Sequence, residues 1–133
     1  MLSRDYILQV IKTFFEELDE AFNGKDEDDM EIQEHLNDLY TTYFKRDRES
    51  FLQSGTEEMI DFLKDDPDRM EKYDMLQELM YRDAEIQHDL EVRDNLYRKV
   101  VYLCEYITNH SMNFSLAYEN RITEIKWLLA AEE

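Results

Sequence analysis

Glycine and proline are nearly missing from this chain: its 133 residues include two glycines and one proline. That scarcity excludes an all-β domain with many tight turns, a glycine-rich loop that cradles phosphate, and a dinucleotide-binding fingerprint. A single cysteine, Cys104, has no partner for an internal disulfide. Its neighbourhood VYLCEYI reads as apolar helix, so the thiol is expected as core packing in a reducing cytoplasm. No apolar run approaches eighteen residues, and MLSRDYILQV lacks the basic and apolar regions of a secretion signal, so neither spanning nor export is expected. Bases are short as well, with 15 against 33 acids and a formal charge of -18. Such a surface repels nucleic-acid phosphate and anionic lipid, so direct nucleic-acid or membrane binding is not expected.

What remains is helical periodicity. Ile7, Ile11, Phe14, Leu18 and Phe22 recur at spacings of four, three, four and four, with Ser3 as a cap and Asn23-Gly24 as the end. Asp28, three residues before Glu31, opens a second helix whose stripe is Ile32, Leu36, Tyr40 and Tyr43 and whose end falls near Phe44. RDRESFLQSG reads as a short helical turn closing at Gly55, after which Thr56 caps a brief helix through Met59, Ile60 and Leu63. Pro67 suits a first helical position, and Tyr73, Leu76, Met80 and Ala84 continue inward. A helix unbroken from there to Asn109 would be roughly 65 Å long at 1.5 Å per residue, too long for a domain of this size. The spacing therefore predicts a break within residues 84–92, with Asp89 capping a helix on which Leu90, Tyr97, Val101 and Cys104 share a face. The last helix starts at Ser115. The expectation is one domain over residues 1–133, all-α, with five to six helices.

The last helix carries two stripes. Tyr118, Ile122, Ile125 and Leu129 form the inward one, while Leu116, Asn120, Thr123, Trp127 and Ala130 repeat at the same spacing on the opposite face. The second stripe needs a neighbour of its own. Small proteins often sandwich a terminal helix, which favours coverage by the first helix or an adjacent one within the monomer. Otherwise Trp127, Leu116 and Thr123 form a contact for a partner or a second copy, since indole is enriched at interface hot spots.

Glu85-x-x-His88 has the spacing of a helical carboxylate-histidine metal pair. Carboxylate-histidine bundles need two such pairs and two further glutamates projecting inward from four helices. The chain holds one pair, because Ile32 precedes His35 by three residues and Ile107 precedes His110. With 18 glutamates and three histidines, an accidental Glu-x-x-His arises about one time in three. Extended back from Tyr97, Val101 and Cys104, the helical phase also turns His88 outward. In DEDDMEIQE an EF-hand loop beginning at Asp26 would need an oxygen ligand at Met30, glycine at Glu31 and glutamate at Asn37, and all three fail. From Glu16 to Glu31 nine acids face one base, which reads as a solvated edge with carboxylates favoured at a helix start. No G-x-S-x-G elbow occurs, and Cys104 has flanks that disfavour a thiolate. No catalytic, cofactor or metal residues are assigned. Met70, Met75, Met80 and Met112 stand at helical spacing and read as core filling rather than as an adaptable groove.

The pieces MLSRDYI, LYTTYF, YDMLQELMYRDAEI and NFSLAYENRITEIKWLL resemble an uncharacterised family of small bacterial all-helical proteins, nearly end to end. The C-terminal half of that family is similar to tetratricopeptide-type helical hairpins, and the segments 68–84, 89–109 and 115–131 have suitable lengths. The repeat's W-x-x-L-G-x-x-Y signature and its turn proline are absent here. The resemblance implies a bundle with stacked hairpins in the C-terminal half and brings no activity or catalytic residue. Residues and resemblance together give the expectation of a cytoplasmic, non-enzymatic interaction or structural module that meets a protein partner, basic in character, or a second copy. The alternatives are an acidic mimic of nucleic acid that occupies a basic protein's site and, disfavoured above, a carboxylate-histidine metal protein.

Overall fold

The computed structural model describes residues 4–23, 28–111 and 115–131. Among these residues the regular structure is all helical, with seven helices and no strand: α1 (Arg4–Phe22), α2 (Asp29–Phe44), α3 (Arg48–Gln53), α4 (Thr56–Asp61), α5 (Arg69–Glu85), α6 (Leu90–Ser111) and α7 (Leu116–Ala130). The count exceeds the expected five to six because the stretch read as a helical turn is a helix of its own. Asp47 caps it by accepting from the Ser50 N–H at 2.8 Å, and extended backbone at Ser54 separates it from α4. Gly55, not Thr56, stands at the N-cap of α4, its N–H donating to the Glu58 carboxylate at 3.3 Å.

Other boundaries follow local chemistry closely. The Asp28 carboxylate accepts from the Glu31 N–H at 2.9 Å and starts α2, which ends at Phe44. Lys45 closes that helix in the left-handed region at φ 61°, donating its N–H to the Thr41 carbonyl. α5 begins two residues after Pro67, where Asp66 accepts from the Asp68 N–H at 2.8 Å. The expected break lies at residues 86–89, and Asp89 caps α6 through the Glu91 N–H at 2.9 Å. Ser3, Gly24 and Met112 lie outside the described residues.

The chain groups into two compact units, Met1–Met75 and Leu76–Glu133, and the division falls inside α5. In the first unit α1 and α2 run antiparallel, since Phe14 meets Tyr43 and Phe44 while Glu20 and Ala21 share a cleft with His35 and Asp38. Phe51 of α3 is fully buried and touches the rings of Tyr40, Phe44 and Phe62 at centroid distances of 5.8, 6.2 and 5.7 Å. Ring contacts of this kind add to the burial of large apolar area. Tyr73, also buried, donates its hydroxyl to the Ile60 carbonyl at 2.7 Å and ties the start of α5 to α4. Within the α1 stripe Ile7, Phe14 and Leu18 are buried while Ile11 and Phe22 are half-buried, with Ala21 taking the inward place near the helix end.

In the second unit α6 is buried over a wide face that includes Leu96, Val100, Leu103, Cys104 and Ile107. Tyr97 and Val101 are buried with them, but Leu90, expected on the same face, is 52% exposed because it is the first residue of the helix. Met75 and Met80 are buried in their respective units and Met70 is half-buried. Among the described residues no helix is long and apolar enough to cross a membrane.

Candidate functional site

α7 is held in place by one side and leaves the other to solvent. Its N-terminus is capped by the Ser115 hydroxyl, which accepts from the Tyr118 N–H at 3.3 Å. Ile122 and Ile125 are buried, whereas Tyr118 and Leu129, at the two ends of the inward stripe, are half-buried. Arg121 shares this inward phase, three residues after Tyr118 and four before Ile125. Its guanidinium donates to Gln77 Oε1 at 3.0 Å and Glu78 Oε2 at 2.5 Å, and lies 3.8 Å above the Tyr81 ring. Tyr81 in turn donates to Glu124 Oε1 at 2.9 Å, and the buried Cys104 thiol sits 3.5 Å from Gln77 Oε1. Partners 77 with 121 and 81 with 124 make α5 and α7 parallel. Contacts of 77 with 104 and 81 with 97 make α6 antiparallel to α5.

Electrostatics concentrate in this network. Loss of hydration pushes the Tyr81 phenol up, and its bond to Glu124 adds to the shift. Burial works to lower the Arg121 pKa, but the hydrogen bond and charge of Glu78, with Tyr81 and Cys104 adding to them, raise it overall, so the guanidinium is held more firmly protonated than usual. Glu85 is raised from its ordinary value, first by lost hydration and then by Glu124 and Glu78, against Arg82 and Arg121. Arg121 was not singled out from the sequence, although a charge standing in phase with an apolar stripe was the available signal.

The outward stripe is open along its whole length. Trp127 is 70% exposed and Leu116 64%, and Asn120, Thr123 and Ala130 are exposed as well. The expectation that the monomer covers this face is therefore corrected. Among the described residues the second unit holds only the end of α5, α6 and α7, so the inward side of α7 uses up the neighbours available there. Beside the stripe stand Glu119 and Lys126 on one flank and Ala117 and Glu124 on the other, and Lys126 Nζ lies 3.9 Å from Glu105 with both side chains exposed.

Elsewhere two polar clefts lie in the first unit, which also holds a mostly apolar one of about 190 Å³ lined by Tyr6, Val10, Thr13 and Tyr43. One polar cleft of about 450 Å³ lies at α3 and α4, where the Arg46 guanidinium sits 3.7 Å above the Phe62 ring. Another of about 390 Å³ runs between α1 and α2 and is lined by Glu17, Glu20, His35 and Asp38. Burial and a hydrogen bond to Glu17 push the nearby Tyr43 phenol up to about 12. Glu85 is the last residue of α5 and His88 lies exposed in the following turn, so the pair does not share a helix face. Among the described residues no group of three or more His, Cys, Asp or Glu side chains is placed to hold a metal ion. Comparison with protein-family models, curated proteins and solved structures finds no match for the chain.

Proposed function

We propose that this chain is a non-enzymatic protein-protein interaction module, cytoplasmic in setting, whose recognition surface is the outward face of α7. The observation that carries the reading is the exposure of Trp127 and Leu116 on one helix face. A large aromatic ring left in water forgoes the burial that stabilises a fold, and its gain is realised when a partner covers it. The alternation of α5, α6 and α7, with the first and third parallel and the second reversed, supports a tetratricopeptide-like stack. Arg121 and its partners hold α7 to α5, which makes the outward face a rigid platform for recognition.

Affinity capture with the purified chain tests the reading. A protein retained by the wild type and lost with Trp127→Asp, in a variant whose circular dichroism is unchanged, is the expected result. Retention unaffected by the substitution removes α7 from the recognition surface.

A second reading is favoured by the charge of residues 1–75, where 22 acids face nine bases. Such a surface suits an acidic mimic that occupies the basic site of a nucleic-acid-binding protein. That complex would weaken steeply with salt, because charges at a surface are screened within about 10 Å at 0.1 M. It would also be indifferent to Trp127→Asp.

A further inference from the structure

We infer that the outward face of α7 pairs with the same face of a second copy of this chain, the two helices running antiparallel about a two-fold axis. The inference rests on the reading of that face as a recognition surface and names its occupant. Three observations carry it: the symmetry of the stripe, the placement of charges beside it, and the charge balance of the helix.

Leu116 and Trp127 stand at equal distances from the midpoint between Asn120 and Thr123, so these four positions of the stripe map onto one another when the helix is reversed, while Ala130 at the helix end has no counterpart in α7. An antiparallel neighbour in this register sets Leu116 against the partner's Trp127 at each end, about 16 Å apart along the axis. At the centre Asn120 faces the partner's Thr123, where amide and hydroxyl can exchange a hydrogen bond on each side of the axis. A two-fold contact requires this kind of self-complementarity, with each residue pair occurring twice.

Charge follows the same symmetry. Glu119 and Lys126 lie on one flank of the stripe, about 70° to 90° around the helix from its centre at 100° per residue. Across an antiparallel pair like flanks face each other, so Glu119 meets the partner's Lys126 and Lys126 meets the partner's Glu119. Among the described residues Lys126 has the long, exposed contact with Glu105, which is too weak to hold it back. The other flank brings Ala117 opposite the partner's Glu124, a carboxylate already bonded to Tyr81, and opposes no like charges. α7 carries two acids and two bases in a chain of net charge -18, so two copies can meet here without setting carboxylate against carboxylate. Fifteen residues give a contact about 22 Å long, shorter than standard interfaces of ~1,200 Å² or more need, so the association is of the weak, reversible class.

Sedimentation equilibrium of the full chain over about 10 to 500 µM spans that class. The expected result is a mass rising from monomer toward dimer, with Trp127→Asp monomeric throughout and its circular dichroism unchanged. Glu119→Lys and Lys126→Glu should each weaken association about tenfold by opposing like charges, and the double variant should restore it. Restoration is specific to self-pairing, because no other partner would supply the swapped charge. A wild type that stays monomeric overturns the inference, as does dimerisation indifferent to Trp127→Asp or a double variant that fails to recover. If a monomeric wild type still retains a protein in a Trp127-dependent way, the dimer falls while the recognition reading stands.

Discussion

The two units of the chain solve the same problem with different materials. Residues 1–75 carry 22 acids against nine bases, yet their interior is a run of aromatic rings from Phe14 through Tyr43 and Phe44 to Phe51 and Phe62. Residues 76–133 carry 11 acids against six bases, and polar groups enter their interior: Gln77, Asp83 and Lys99 are buried, and Arg121 bridges α7 to α5. Ring packing is indifferent to salt and pH, so the first unit tolerates a strongly charged exterior. The buried polar groups of the second unit contribute only while each keeps its partner, and they fix which side of α7 faces inward.

The sharpest way to break the first unit is Phe51→Ala, which empties the centre of the ring cluster. A loss of about 3 to 5 kcal/mol is expected from the removed area and the residual cavity. Hydrogen exchange should show lost protection in α2, α3 and α4. In the second unit Arg121→Ala is expected to cost about 2 kcal/mol, because Gln77 and Glu78 lose a charged donor in a partly dry setting. Exchange in α7 should rise more than in α1, and equal loosening of both helices would count against the local role given to Arg121.

Lys99 offers the opposite sign. It is 6% exposed, burial lowers its pKa, and its ammonium donates to Asn95 one turn earlier. A base with a depressed pKa in the fold costs stability wherever it is charged, so Lys99→Met should stabilise the chain by about 1 kcal/mol at neutral pH. The gain should shrink as pH rises toward 10.5, where lysine in the unfolded chain also loses its proton.

The smallest effects separate the units by pH. Burial alone would raise the Asp66 carboxyl, but the Lys72 ammonium at 2.5 Å and the Asp68 N–H hold it below its ordinary 3.8. Its contribution is present above that value and is lost as pH falls through the lower folded value. Glu85 is raised above 4.5, so its contribution is full below that value and is lost as pH rises through the folded value. Asp66→Asn should therefore destabilise slightly at pH 7 and Glu85→Gln stabilise slightly, with both differences fading in acid. Thermal unfolding of the two variants at pH 7 and at pH 3 checks the pair of signs.

The sequence by itself determined the helical class and most helix limits, because those rest on interactions reaching three or four residues. Asp28, Asp89 and Ser115 each accept from a backbone N–H close by, and the two-glycine composition left little alternative to helices. It also marked a second stripe on α7 around Trp127. Whether anything covers that stripe depends on residues distant in the chain, and spacing along one helix carries no information about them. Only the tertiary structure decided that α5 and α6 take the inward face, that Arg121 locks it there, and that Leu116 and Trp127 are left facing water.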